Sequence, residues 1–195
     1  MGTVAANASV IIEFDESKHE YLINGQIVPS VTQILRAAGL IDDQWFTDES
    51  CIRGSYVAKA THYYDQGDLA VETVDPIIKP YLDAWIRFRE ESKIEVLASE
   101  ERVYHSIYRY AGTLDRRARW RGKEMIIDIK TGAESDWHEL QTAGYAMTFN
   151  RSIATGAVYL KNDGAYRFVQ HDLVRPRDVF LAAIIISNWR NARKW

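Results

Sequence analysis

Two short segments hold residues able to do metal-assisted phosphate chemistry together: Asp115, and the run Asp128-Ile129-Lys130. Asp115 falls in one predicted strand and Asp128 to Lys130 finish the next, with Arg121-Gly122-Lys123 as the turn between them. Strands joined so closely pair antiparallel, so the two carboxylates can meet. Side chains alternate along a strand, which puts Asp128 and Lys130 on one face and Ile129 toward the core. Met125-Ile126-Ile127 is apolar enough to be buried on both sides, and charged residues closing such a strand must be paired, metal-bound or at a cleft edge. Paired carboxylates suit Mg²⁺, a hard cation that takes oxygen ligands and keeps waters for a phosphate substrate and a nucleophile. Such an ion polarises a phosphoryl oxygen and acidifies an attacking water, while a lysine neutralises charge on the phosphate or orients that water. The same spacing also suits salt bridges of Lys130 with Asp115 or Asp128 at a sheet edge. Two acids and a lysine alone do not separate these alternatives.

The elements that must position these residues follow from period and punctuation. Strands are expected over 10–14, 21–23 and 26–28, the last two joined by the hairpin signal Asn24-Gly25, with Pro29 closing the ribbon. Ser30 reads as the N-cap of a short helix through Val31, Ile34 and Leu35 that stops near Gly39. A second helix is predicted over about 48–66, and a third opens at Asp75-Pro76 with the apolar stripe Ile78, Leu82, Trp85, Ile86 and Phe88. From Ile94 the period shortens, and Val103, Ile107, Leu114 and the run 125–129 are assigned to strands. A helix over 135–149 follows, then strands over 154–160 and 166–171 linked by Asn162-Asp163-Gly164. The last helix is expected from about Arg177, with Val179, Phe180, Ala183, Ile184 and Ile186 toward the core. This order predicts an α/β fold built round a mixed sheet flanked by helices, after an N-terminal β-hairpin and helical extension.

The 195 residues suit a single domain, with the hairpin and helices in 1–75 and the catalytic core in 76–195. With 47% hydrophobic and 26% charged residues the composition is that of a globular chain able to fold in water. No apolar run approaches the roughly 20 residues needed to span a bilayer, so no membrane partner is expected. Residues 1–9 lack the basic and apolar segments of a secretory signal, and a cytoplasmic location is expected. The one cysteine, Cys51, excludes an intrachain disulfide and a four-cysteine metal site, and is expected to be a small buried residue. A net charge of −3 gives no overall pull toward a polyanion. Local charge is concentrated in Arg116, Arg117, Arg119, Arg121 and Lys123, a run that serves either to bind phosphate or as a solvated hairpin.

Ala111-Gly112-Thr113-Leu114-Asp115, Ile127-Asp128-Ile129-Lys130-Thr131-Gly132 and Gln141 with Tyr145 together resemble the PD-(D/E)XK nuclease superfamily. They are most similar to its RecB-type and phage-exonuclease branch, through a GxxD, a [D/E]xK and a QxxxY motif. The resemblance runs from about Ile12 to Tyr145 and takes in the hairpin followed by Pro29-Ser30-Val31-Thr32. It implies a restriction-endonuclease-like core, Mg²⁺ or Mn²⁺, and DNA phosphodiester cleavage. It also makes Asp115, Asp128 and the main-chain carbonyl of Ile129 metal ligands, and Lys130 the catalytic lysine. Gln141 and Tyr145, four apart on a helix, share a face and are expected to touch substrate or brace the site. Arg116, Arg117 and Arg119 are expected to meet DNA phosphates, and Glu101 is a candidate supporting carboxylate, with Glu100 expected to point the other way.

The sequence departs from the branch at one place. Where Arg-Gly-[Ser/Thr] is usually followed three positions later by a metal-binding histidine, Arg53-Gly54-Ser55 leads to Ala58. His62 follows one turn on, and with a turn of about 5.4 Å it is expected to be uninvolved. His19, His105, His138 and His171 are given no role. The function expected is a phage-type exonuclease acting in recombination or end processing, with DNA and a single-strand annealing protein as partners. A structure-specific or nicking endonuclease, or a DNA-binding module with weakened catalysis, are the alternatives. Oligomeric state is not set by the sequence.

Overall fold

A computed structural model describes residues 11–16, 18–42 and 47–192. The chain opens with a three-stranded antiparallel ribbon, β1 (Ile12–Asp15), β2 (Glu20–Ile23) and β3 (Gln26–Val28). Asn24 and Gly25, at φ 50° and 78°, form the two-residue turn between β2 and β3, and the left-handed backbone there is what Asn-Gly supplies most cheaply. Position 10 lies outside the described residues. Helix α1 (Val31–Ala38) starts at Ser30, whose hydroxyl accepts the Gln33 N–H at 3.1 Å while the Gln33 side chain accepts the Ser30 N–H at 2.8 Å. It ends on Gly39 in the left-handed region.

Helix α2 (Asp48–Gln66) is capped in the same reciprocal way by Thr47 and Ser50. A 3₁₀ turn, Val71–Thr73, leads to helix α3 (Lys79–Ser92), with Pro80 in its first turn. Asp75-Pro76 therefore opens a turn ahead of the helix, where the Asp75 carboxylate accepts the Ile77 N–H at 2.7 Å. The five-stranded sheet has the order β4 (Glu95–His105), β5 (Tyr110–Trp120), β6 (Lys123–Lys130), β7 (Ala154–Leu160) and β8 (Tyr166–Gln170). All pairings are antiparallel except β6 with β7, which are parallel and joined through helix α4 (Trp137–Ala146). Helix α5 (Val174–Asn191) closes the described chain.

Helices cover both faces of the sheet. Val31, Ile34 and Leu35 of α1, Leu140 and Tyr145 of α4, and Phe180 and Ile184 of α5 pack with Ile126 on one side. Val57 of α2 and Tyr81, Trp85 and Phe88 of α3 pack with Met125 and Ile127 on the other. Burial of adjacent residues on opposite faces is why 125–127 is continuously apolar. The ribbon docks on β5: the Ala111 N–H donates to the Pro29 carbonyl at 3.0 Å, and the Tyr21 and Thr113 hydroxyls are bonded at 2.8 Å.

Four local expectations are corrected. Ile107 lies in the β4–β5 turn and is exposed, because two long strands need a reversal there. The last helix starts at Val174, ahead of Arg177, and Val179 and Ile186 face outward, since only one stripe of α5 meets α1 and α4. Cys51 is exposed, on the first turn of α2 away from the sheet. The Asp75-Pro76 start is displaced to Lys79 as described. No helix of the described residues is long and apolar enough to cross a membrane.

Candidate active site

Strands β5 and β6 pair regularly from Trp120↔Lys123 to Arg116↔Ile127. Past that point the Ile129 N–H donates to Asp115 Oδ2 at 2.6 Å, a side chain taking the place of a ladder carbonyl. A strand residue sends its N–H and C=O to the same side, so the Ile129 carbonyl also leaves toward Asp115. Asp128, 2% exposed, points with Lys130 to the α4 face. Its Oδ2 is 2.7 Å from Lys130 Nζ, yet has no partner in hydrogen-bond geometry. Lys130 Nζ donates to Gln141 Oε1 at 2.8 Å and lies 4.9 Å over the Trp137 ring. Gln141 in turn donates through Nε2 to the Tyr145 hydroxyl at 3.1 Å. The polar chain Asp128–Lys130–Gln141–Tyr145 thus runs from the end of β6 along one face of α4. Gly112 makes room for it: a Cβ there would stand 2.6 Å from the Tyr145 ring.

The electrostatics are those of a crowded anionic site. Burial, only partly offset by Lys130 and reinforced by Asp115, pushes the Asp128 carboxyl up to about 7. Burial and the charges of Asp128 and Asp115 hold the Tyr145 phenol well above its usual range, so it is protonated at neutral pH. Glu100 is pushed up to about 7 by lost hydration and by Asp115, against the pull of Arg116, with a smaller push from Asp128.

The residues fit a hard divalent cation. Asp128 offers a buried oxygen without a hydrogen-bond partner, Asp115 has Oδ1 beyond its bond to Ile129, and the Ile129 carbonyl faces the same gap. Among the described residues no group of three or more His, Cys, Asp or Glu side chains is placed to hold a metal ion, so Asp115 and Asp128 stand as a pair. The donor set resembles Mg²⁺ sites in which one or two carboxylates bind and substrate phosphate and water complete the shell.

Other predicted site residues lie elsewhere. Arg116 is fully buried: its Nε donates to Asp65 Oδ2 at 2.5 Å, its Nη2 to Thr61 at 3.0 Å and its Nη1 to the Asp115 carbonyl at 2.6 Å. It cannot reach a phosphate, because its charge is spent inside the fold. Arg117 pairs with Glu101 at 2.7 Å and also with Glu124, and Arg119 pairs with Glu95 at 2.6 Å. The basic run is therefore interleaved with acids from β4 and β6, which sequence proximity alone did not reveal. Glu101 belongs to that ion pair, and the carboxylate beside Asp115 is Glu100. Strict alternation breaks at Glu100, whose φ of 53° turns its side chain out of the strand pattern. The register irregularity between Val96 and Ala98 is the only other break in that strand's pairing.

Helix α2 passes the same end of the sheet. A Cβ on Gly54 would lie 3.9 Å from Thr131 Oγ1, and His62 Nδ1 is 2.6 Å from Ser99 Oγ. Ala58 is four residues from each and shares their face, between the end of β6 and the middle of β4. Burial, and the positive charge of Arg116, lower the His62 pKa. His138 Nδ1 lies 2.9 Å from the Tyr159 hydroxyl and His171 Nδ1 2.8 Å from Thr142 Oγ1, both outside the carboxylate group.

No protein-family model matches the chain. No curated protein matches it either. Among solved structures it is similar to the crystal structure of a candidate exonuclease from Eubacterium rectale, with a TM-score of 0.54 and 11% identity over 87% of this chain and 75% of that one. It also aligns to the structure of SSO0001, with a TM-score of 0.39 and 18% identity over 80% of this chain and 75% of that one, too weak a likeness to carry an argument. At 11% identity the first similarity shows a shared fold: a mixed sheet flanked by helices on both faces.

Proposed function

We propose that the chain is a divalent-metal-dependent nuclease that hydrolyses DNA phosphodiester bonds. One observation carries the reading. Asp128 is a buried carboxylate with a hydrogen-bond-free oxygen, set between Lys130 and Asp115 where β5 and β6 separate. The Lys130 ammonium at 2.7 Å answers only part of that charge, since the carboxyl is still pushed up to about 7, and a divalent cation would answer the rest. The motifs on which the sequence resembles PD-(D/E)XK nucleases meet at this point, and the Eubacterium rectale protein of similar fold is described as a candidate exonuclease.

Asp115, Asp128 and the Ile129 carbonyl would hold Mg²⁺ or Mn²⁺. When bound, the ion supplies Lewis acidity to the phosphate oxygen and lowers the pKa of an attacking water. Lys130 presents its ammonium to the developing phosphate charge, and Gln141 fixes the direction of that ammonium by accepting one of its hydrogens. Tyr145, protonated and bonded to Gln141, braces the amide. Digestion from DNA ends is the finer reading, supported by the resemblance to the phage-exonuclease branch. The second reading, a DNA-binding module with weak turnover, is favoured by Ala58 standing on the site face of α2.

Linear and closed-circular duplex DNA incubated with Mg²⁺, with Mn²⁺ or with EDTA test the proposal. Metal-dependent loss of linear DNA with intact circles supports an exonuclease, and nicking of circles supports an endonuclease. Binding without cleavage in any metal supports the module. Full activity in Lys130→Ala or Asp128→Asn would remove this site from the chemistry.

A further inference from the structure

Helix α2 carries a cation that the rest of the fold does not use. The Arg53 guanidinium lies over the Tyr81 ring, 5.8 Å from its centroid, and among the described residues it forms no ion pair. Its Nε is buried without a hydrogen-bond partner. A buried donor left unmatched is costly, which calls for a group that accepts from it. Arg53 lines a cavity of about 690 Å³ together with Glu49, Tyr56, Asp75, Ile77 and Tyr81, a size within the range of small-molecule sites. Tyr56 and Ile77, 59% and 71% exposed, add apolar surface beside the charge, the mixture that such sites use.

The place of this cavity in the fold is a second observation. Asn162, which also lines it, lies just past β7, and β7 runs parallel to β6 with Tyr159 opposite Lys130. The cavity therefore opens at the carboxyl end of the parallel pair, the end that carries Asp128 and Lys130, where open α/β sheets take their ligands. Gly54, next to Arg53, faces Thr131 immediately after β6. A ligand held by Arg53 is thus a neighbour of the candidate active site.

The charges are wrong for a phosphate group. Arg53 is one cation against two carboxylates, Glu49 and Asp75, so the lining repels a dianion. A neutral planar group meets no such repulsion. Guanine is the base whose edges match: O6 and N7 accept from a guanidinium fork, while N1–H and the N2 amino group donate to a carboxylate. Asp75 spends Oδ1 on the Ile77 N–H at 2.7 Å and keeps Oδ2. Aromatic rings and guanidinium planes are the surfaces on which unpaired bases stack. We infer that this cavity binds an unpaired guanine of the DNA strand beside the scissile phosphate, stacked on Tyr56 and hydrogen-bonded by Arg53 and Asp75. That the strand is substrate rests on the nuclease reading above. A base within an intact duplex cannot enter such a pocket, so the pocket favours single-stranded or frayed DNA.

Deoxyguanosine, the other three deoxynucleosides and inorganic phosphate, each titrated in EDTA into the nitrogen-15-labelled chain, test the pocket without any cleavage. Deoxyguanosine should shift the amide resonances of residues 52–56 and 77–79 and bind at least about fivefold more tightly than the other three. Tyr56→Ala and Arg53→Met should each weaken it about tenfold, while Tyr63→Ala, an exposed tyrosine further along α2, should leave it unchanged. If Arg53→Met folds poorly, the exposed Tyr56→Ala decides alone. Equal binding of all four nucleosides, shifts from phosphate alone, or deoxyguanosine binding that survives the pocket variants overturns the inference. Metal-dependent DNA cleavage with no nucleoside binding also overturns it and leaves the nuclease reading standing. Deoxyguanosine binding with no cleavage in any metal supports the pocket and overturns the nuclease reading instead.

Discussion

The Ile129 N–H donates to the carboxylate of Asp115 at 2.6 Å, where a continuous β5–β6 ladder would have offered a main-chain carbonyl. One bond therefore does two things: it satisfies a backbone donor at a strand end, and it fixes the rotamer of a proposed metal ligand. Asp115 is part of the sheet's hydrogen bonding before it is part of any chemistry.

Asp115→Asn and Asp115→Ala should consequently separate folding from function. Asparagine keeps an oxygen for the Ile129 N–H and should fold nearly as well while losing metal-dependent cleavage. Alanine leaves that donor unsatisfied and should cost about 1–3 kcal/mol in addition. Urea unfolding of the two metal-free variants checks the difference. Equal stability would mean that the bond contributes nothing to the fold.

The arginines of β5 should differ from one another by far more than their spacing suggests. Arg116 and Asp65 have side chains 0% and 1% exposed, so Asp65→Ala strands a buried guanidinium and should destabilise by about 3–5 kcal/mol. Arg119 and Glu95 form an exposed pair, and Arg119→Ala should cost at most about 1 kcal/mol. If Arg119→Ala also flattens the salt dependence of DNA binding, the phosphate-contact reading of that residue returns.

These contrasts mark what local pattern could and could not reveal. Asn24-Gly25, the Ser30 cap and the buried run 125–127 were legible because each feature is set within a few residues of chain. Asp128 and Lys130 on one face, and Gln141 beside Tyr145, followed from strand and helix periods. The fate of Arg116 was not legible, because its partners Asp65 and Thr61 come from a helix some fifty positions earlier. Strand alternation favours Glu101 over Glu100 because it assumes extended backbone, and a left-handed residue breaks that assumption. Exposure of Cys51 likewise depends on which face of α2 meets the sheet, which composition does not set.

His138 should stay neutral far below the usual imidazole range. Burial, then the positive charges of Lys130 and His171, push it down to about 3, while an unfolded imidazole titrates near 6.5. Between those values the unfolded chain binds more protons, so this stability is full above about pH 6.5 and is lost as pH falls toward 3. The slope for one such group is up to about 1.4 kcal/mol per pH unit. The stability difference between the chain and His138→Gln should therefore shrink on acidification below 6.5, and the imidazole proton resonances of His138 should not move between pH 5 and 8. A midpoint near 6.5 in those resonances would show an imidazole open to solvent.

Helix α2 offers the sharpest test of how the site is completed. Gly54, Ala58 and His62 recur every four residues on the face that meets Thr131 at one end and Ser99 at the other. Position 58 lies between those two contacts, so a side chain longer than alanine there would extend between the end of β6 and the middle of β4. Ala58→His should add an imidazole there, and because Mn²⁺ accepts nitrogen ligands more readily than Mg²⁺, it should raise Mn²⁺ affinity and Mn²⁺-supported cleavage most. A gain of roughly tenfold in Mn²⁺ affinity, with a smaller change in Mg²⁺, is the expected result. His62→Ala in that background should change little, since His62 is already bonded to Ser99 and lies near the charge of Arg116. Mn²⁺ titration of the three chains decides between the positions. If Ala58→His is inert and His62→Ala abolishes binding, the imidazole that serves the ion is His62, one turn along the same face.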